Sequence, residues 1–165
     1  MTRLLCLTSL MLALAASASR AQDLGIDVGA LAPAAMLETL DGKRVDLAQY
    51  LDGRPALIEF WAAWCANCKA LEPQLKAINR QYGDKLRMIA VAVSINQSPE
   101  RARLYAERHA LPMTMLYDRQ GDATVAYDVP ATSFIVLVDS TGRVAYTGVG
   151  AEQRLDAAVK KLLTK

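Results

Sequence analysis

Two cysteines three positions apart, Cys65 and Cys68, with Ala66 and Asn67 between them, are the residues of this 165-residue chain best suited to chemistry. The apolar run Ala56 to Trp61 before them suits a buried strand. From Ala66 to Tyr82, Ala70, Leu71, Leu75, Ala77 and Ile78 recur at helical spacing, and Gly83 closes the segment. The pair thus stands where a strand hands over to a long helix. A thiolate there faces unsatisfied backbone N–H groups and the positive end of the helix dipole, which lowers its pKa and makes Cys65 the expected attacking sulfur. Cys68, one turn on, is the expected resolving thiol, able to break a mixed disulfide by intramolecular attack.

Two other uses of such a pair are weighed against thiol-disulfide exchange. A structural bridge gains most by closing a long loop, and a two-residue spacing closes almost none. A zinc site needs four ligands, whereas beyond this pair the chain offers Cys6 and a single histidine, His109. A thiol-based metal-binding protein or metallochaperone stays open as the alternative function, since two chains could supply four thiolates to a shared metal or cluster.

The elements that must position the pair can be read on either side of it. Asp41-Gly42 between Met36–Leu40 and Lys43–Val45 signals a hairpin, and a short helix is expected from Leu47 to Leu51, stopped by Gly53 and Pro55. Leu86–Val93 reads as a second buried strand, Ser98-Pro99-Glu100 as the start of a helix ending near Arg108, and Met113–Tyr117 as a third strand. Phe134–Val138 and Val144–Thr147 flank the turn Asp139–Gly142, and Ala151–Leu163 is expected to form a terminal helix. Strands alternating with helices and closing on a hairpin imply an α/β sandwich with a central mixed sheet flanked by helices. Pro73, inside the long helix, should kink it.

The first 21 residues are of another kind. Arg3 precedes the apolar run Leu4–Ala16, and small residues lead to Ala21. This pattern predicts a secretory signal peptide over residues 1–21, cleaved after Ala21 and taking Cys6 with it. Residues 22–32 then read as a leader and 33–165 as the folded domain. Removing Arg3 and Arg20 from the 19 basic residues leaves 17 against 17 acidic, so no electrostatic footprint for nucleic acid is expected. Export also places Cys65 and Cys68 in an oxidising compartment, periplasmic or secreted.

The segment Phe60-Trp61-Ala62-Ala63-Trp64-Cys65-Ala66-Asn67-Cys68 resembles the active-site segment of the thioredoxin superfamily. With the Leu40-Asp41-Gly42-Lys43 turn, Pro73 five residues after Cys68, and Asp139-Ser140-Thr141-Gly142-Arg143-Val144, the chain is similar to the TlpA and ResA-like bacterial subgroup over residues 33–163. The resemblance implies a thioredoxin-like fold with an N-terminal hairpin extension, and an extracytoplasmic thiol-disulfide oxidoreductase without a cofactor. It further implies disulfide-bearing exported proteins as partners, a membrane thiol transporter as electron donor, and action as a monomer, often as a reductant. The uncharged Ala66-Asn67 pair agrees with a reductant, because a histidine there would favour the thiolate and an oxidant.

The same resemblance gives roles to other residues. Glu59, six residues before Cys65 in an apolar strand, matches the buried acid that thioredoxins carry behind the resolving cysteine, and desolvation would raise its pKa and let it take or give the Cys68 proton. Trp64 is expected to shield the sulfurs and offer an apolar contact to a partner, and Trp61 to pack in the core. Opposite the cysteines the family places a cis-proline whose backbone pairs with substrate. Counting back from Gly142 puts Ser133 at that point and Pro130 three residues early, so either Ser133 or, through a bulged loop, Pro130 faces Cys65, with Thr132 offering the pairing backbone and the Ser133 hydroxyl standing beside the sulfurs. His109 with Met113 and Met115 could form a soft-metal set, although the methionines share one strand face as core residues would.

Overall fold

A computed structural model of the chain describes residues 24–164. The expected signal peptide over residues 1–21 lies outside them. Twelve elements follow in order: β1 (Met36–Thr39), β2 (Arg44–Asp46), α1 (Ala48–Leu51), β3 (Ala56–Trp61), α2 (Ala66–Tyr82), β4 (Arg87–Val93), α3 (Pro99–His109), β5 (Thr114–Asp118), α4 (Asp122–Ala126), β6 (Phe134–Val138), β7 (Val144–Gly148) and α5 (Leu155–Leu163).

The strands form one mixed sheet in the order β2-β1-β5-β4-β3-β6-β7. β3, β4 and β5 run parallel, and the hairpins β1–β2 and β6–β7 join antiparallel at the two sides. β3 lies between β4 and β6, and all six of its residues are buried, as a continuous apolar run covered on both faces requires. Its alternation assigns the two layers. Ile58 and Phe60 pack with Leu51 of α1 and Ala123 of α4. On the other face Leu57 joins Leu71, Leu75 and Ile78 of α2 and Leu155, Val159 and Leu162 of α5. Trp61 on that same face joins Cys65, Cys68 and Ala102 of α3. Ala70 and Ala77, in register with the apolar stripe of α2 by sequence, are exposed.

Several boundaries have identifiable causes. Gly83 ends α2 in a right-handed conformation (φ −63°), and a Cβ there would lie 2.6 Å from the Asn79 carbonyl oxygen, so the position needs glycine for room. α2 runs unbroken past the exposed Pro73. α3 starts as expected, with the Ser98 hydroxyl accepting from Arg101 N–H and Pro99 at its first position. α4 carries no clear signal in the sequence and is secured from outside itself: buried Asp118 accepts from the N–H groups of Ala123 and Thr124 and from the Thr124 hydroxyl. α5 begins four residues later than the sequence suggests, because the chain from Gly150 to Gln153 is engaged elsewhere. Residues 24–32, read from sequence as a leader, are bonded to the domain: Ile26 N–H donates to Tyr127, Gly29 N–H to Val144 and Ala32 N–H to Gly142.

Candidate active site: a disulfide at the start of α2

Beyond Trp61 the chain leaves the sheet and turns at once, Cys65 N–H donating to the Ala62 carbonyl at 3.0 Å. Cys65 is the extended N-cap of α2 (φ −80°, ψ 109°), and its Sγ accepts the N–H of Cys68 at 3.0 Å. That bond satisfies one of the free amides of a helix start with a sulfur, the arrangement that favours a thiolate once the cysteine is reduced. Cys65 and Cys68 form a disulfide, with their Cα atoms 5.3 Å apart. Exposure hardly separates them, at 7% for Cys65 and 5% for Cys68. The asymmetry between the sulfurs lies in the helix-terminal amide, which Cys65 alone receives as N-cap.

Two buried glutamines that belong to no recognisable motif hold the loops near this disulfide. Gln97, in the turn between β4 and α3, accepts from Ala63 N–H at 2.9 Å and donates to the Val93 carbonyl at 2.8 Å. The preceding Asn96 adopts the left-handed conformation (φ 53°), which asparagine tolerates better than most residues. Trp64 adds a second tie to this turn, its indole N–H donating to the Ile95 carbonyl at 2.8 Å. Its ring is 44% exposed and Ile95 is 62% exposed, so both offer apolar surface next to the cysteines.

Gln153 does the equivalent on the β6 side. Its Nε2 donates to the carbonyls of Ser133 at 3.0 Å and Gly150 at 2.8 Å, and its Oε1 accepts from the Tyr146 hydroxyl. Ser133 is wholly buried, its N–H donating to the Phe60 carbonyl at 2.8 Å and its hydroxyl accepting from Gly150 N–H at 3.0 Å. The hydroxyl expected beside the sulfurs is therefore employed in holding the 150–153 loop. Ser133 also has φ 64°, a conformation that costs a non-glycine residue about 1–2 kcal/mol and that its surrounding hydrogen bonds offset. The described residues contain no cis peptide bond. Thr132 is half-buried and Pro130 exposed.

Glu59 is 3% exposed and lies on the sheet face covered by α2, between Leu57 and Trp61 of the same strand face. Among the described residues its Oε1 has no hydrogen-bond partner, nor has the buried indole N–H of Trp61. Burial first, and the charge of Glu72 second, push the Glu59 pKa up to about 8. A carboxyl at that value holds its proton at neutral pH and can release it with little further drive. Glu72, on α2, accepts from the Tyr105 hydroxyl at 2.8 Å and faces His109 Nδ1 at 2.9 Å. The Tyr105 and His109 rings stack with centroids 3.9 Å apart. His109 thus pairs with a carboxylate, while Met113 and Met115 pack partly buried against the core. Among the described residues no three His, Cys, Asp or Glu gather as a metal site.

Residues 27–163 match the Redoxin family. The chain is 31% identical over 142 residues to the thioredoxin-like protein YneN of Bacillus subtilis, covering 82% of each. It is 29% identical over 119 residues to the thiol-disulfide oxidoreductase ResA of Geobacillus thermodenitrificans, covering 72% of this chain and 67% of that one. The crystal structure of a putative thiol:disulfide interchange protein DsbE from Chlorobium tepidum superposes with a TM-score of 0.72 at 23% identity, over 84% of this chain and 96% of that one, and so shares the fold. With the Cys65–Cys68 disulfide seated at the head of α2, the chain belongs to the thioredoxin-like Redoxin family and is a thiol-disulfide oxidoreductase.

Proposed function

We propose that the protein is a periplasmic or otherwise extracytoplasmic reductant of disulfides in exported proteins, of the kind needed to mature cytochromes or metal-site cysteines. It is exported by the segment 1–21, acts as a monomer, and is kept reduced by a membrane thiol transporter. No described helix is long and apolar enough to cross a membrane.

The observation that carries the reading is the Cys68 N–H donating to Cys65 Sγ at the N-cap. In the reduced protein the Cys65 thiolate attacks one sulfur of a substrate disulfide. The substrate's other sulfur leaves as a thiolate and takes up a proton. Glu59, left ionised after giving its proton to Cys68 when the Cys65–Cys68 disulfide was last opened, takes that proton back, and the Cys68 thiolate then attacks Cys65 Sγ, closing the disulfide and releasing the second substrate sulfur as a thiolate that solvent protonates. Two electrons pass from the cysteine pair to the substrate. Trp64 supplies apolar contact for the partner, and the Thr132–Ser133 segment supplies the backbone against which its chain lies, with Pro130 at the rim.

The direction rests on modest thiolate stabilisation. Ala66 and Asn67 carry no charge, so Cys65 has the helix-terminal amide without an adjacent cation, and such a couple is expected to be reducing. Equilibration with glutathione tests this. A potential near about −270 mV supports a reductant, and one near about −120 mV, the range of strong oxidants, overturns it.

A further inference from the structure

At the end of the sheet opposite the disulfide lies an open cleft of about 410 Å³. Arg87 pairs with Ala56 where β4 and β3 begin, whereas Cys65 follows the far end of β3, so roughly 20 Å of strand separates the cleft from the sulfurs. The exchange reaction does not reach it. Five elements bring hydrogen-bonding side chains to its lining: Tyr50 from α1, Arg54 from the turn before β3, Asn79 from α2, Arg87 from β4 and Thr114 from β5. Among the described residues no aspartate or glutamate lines it. Its volume lies in the range of small-molecule sites.

The two arginines are built into the fold. Arg54 Nη2 donates to the Asp84 carbonyl at 2.7 Å, which ties the turn before β3 to the turn before β4. Arg87 Nη2 donates to Asp52 Oδ2 at 3.0 Å. The Asp52 side chain is 72% exposed and that of Arg87 31%, so this pair sits at the solvent edge and answers only one nitrogen of the guanidinium. Arg87 Nε is buried and, among the described residues, has no acceptor. A buried cationic N–H left unbonded is costly, and such a group marks the place of a bound water or ion.

We propose that this cleft binds a phosphate monoester, with Arg87 and Arg54 holding the phosphate and Tyr50, Asn79 and Thr114 lining the space for the rest of the molecule. Guanidinium forks match phosphate oxygens, and a tetrahedral group with acceptors on every side suits donors converging from five elements better than a planar carboxylate does. A phosphate oxygen supplies the acceptor that Arg87 Nε lacks. The sulfurs take no part, so binding is the same whichever way the disulfide runs.

Glycerol 3-phosphate titrated into the oxidised protein, followed through its amide resonances, tests this. Saturable shifts are expected at residues 87–89 and 113–114 with a Kd below about 1 mM, and none at Cys65 or Cys68. Arg87→Gln, whose amide can still donate to Asp52, should weaken binding about tenfold or more, and so should Arg54→Gln at its exposed position. Disulfide reduction at the wild-type rate shows that both variants fold. Shifts that never saturate, or that survive both substitutions, overturn the proposal. Equally tight binding of succinate overturns it too, as does an equal response to sodium chloride at matched ionic strength. Vesicles of phosphatidylcholine with phosphatidic acid, whose headgroup is the same monoester, identify the source. Co-sedimentation that Arg87→Gln abolishes places the phosphate on a lipid, and binding of glycerol 3-phosphate alone places it on a soluble molecule.

Discussion

The side-chain oxygen of Gln97 lies 2.9 Å from the amide nitrogen of Ala63, 34 residues earlier in the chain and two before the first sulfur. The bond fixes the approach to Cys65 from a turn that belongs to neither β3 nor α2. Gln97→Leu would leave the Ala63 N–H and the Val93 carbonyl unpaired and should cost about 1–3 kcal/mol in chemical denaturation. Disulfide exchange should slow alongside, while Gln97→Glu, which keeps the acceptor for Ala63, should lose less of the rate. An unfolding midpoint that does not move in Gln97→Leu would show the clamp to be idle.

Replacing Cys68 with Ala should leave the amide that bonds Cys65 Sγ in place, since it belongs to the backbone. Cys65 in that variant should alkylate with a midpoint below the roughly 8.5 of a free thiol and should accumulate mixed disulfides with partner proteins. The reduced wild-type protein should likewise be labelled first at Cys65. Peptide mapping after brief iodoacetamide treatment checks the order, and labelling of Cys68 first would reverse the two roles.

Glu59→Gln should slow turnover at neutral pH about tenfold to a hundredfold, because the amide fills the same space without carrying a proton. Its effect on stability has a definite sign. The folded protein keeps the Glu59 proton up to about pH 8, whereas the unfolded chain loses it near 4.5. The folded state therefore binds more protons across that window, and wild-type stability falls as pH rises through it, then levels off above about 8. Denaturant midpoints at several pH values should show Glu59→Gln gaining on the wild type, by a few kcal/mol, between pH 5 and 8.

Ser133→Pro, although the family resemblance places a proline opposite the cysteines, should destabilise. The position has φ 64°, proline requires about −65°, and the Ser133 N–H is donated to Phe60. A loss of about 3 kcal/mol or more is expected in thermal unfolding. Ser133→Gly should lose the bond from Gly150 but ease the left-handed backbone, and so stay close to wild type.

The hairpin at Asp41-Gly42, the six-residue run of β3 and the amphipathic stripe of α2 could be placed from sequence because each signal is local: a turn dipeptide, an uninterrupted apolar stretch, a 3.6-residue period. The cysteine pair was legible for the same reason. α4 was not, since five residues hold too little periodicity and its cap, Asp118, belongs to the preceding strand. Gln97 and Gln153 were not legible either. A glutamine in a loop carries no sign of what it will bond to, and their partners lie 34 and 20 residues away. Glu72 reads as one polar position on a helix until α3 is laid beside it.

β7 is a terminal strand of the sheet, and the start of its outer side is occupied by the chain's own early residues: Val144 N–H donates to Ala30, Gly29 N–H returns to Val144, and Leu31 bridges to Arg143. A bare strand edge is a template for another chain. A thiol-disulfide oxidoreductase that exposed this edge would risk pairing with the polypeptides whose disulfides it exchanges. Clipping the chain near Pro33 would uncover it and offer a template for sheet-mediated aggregation.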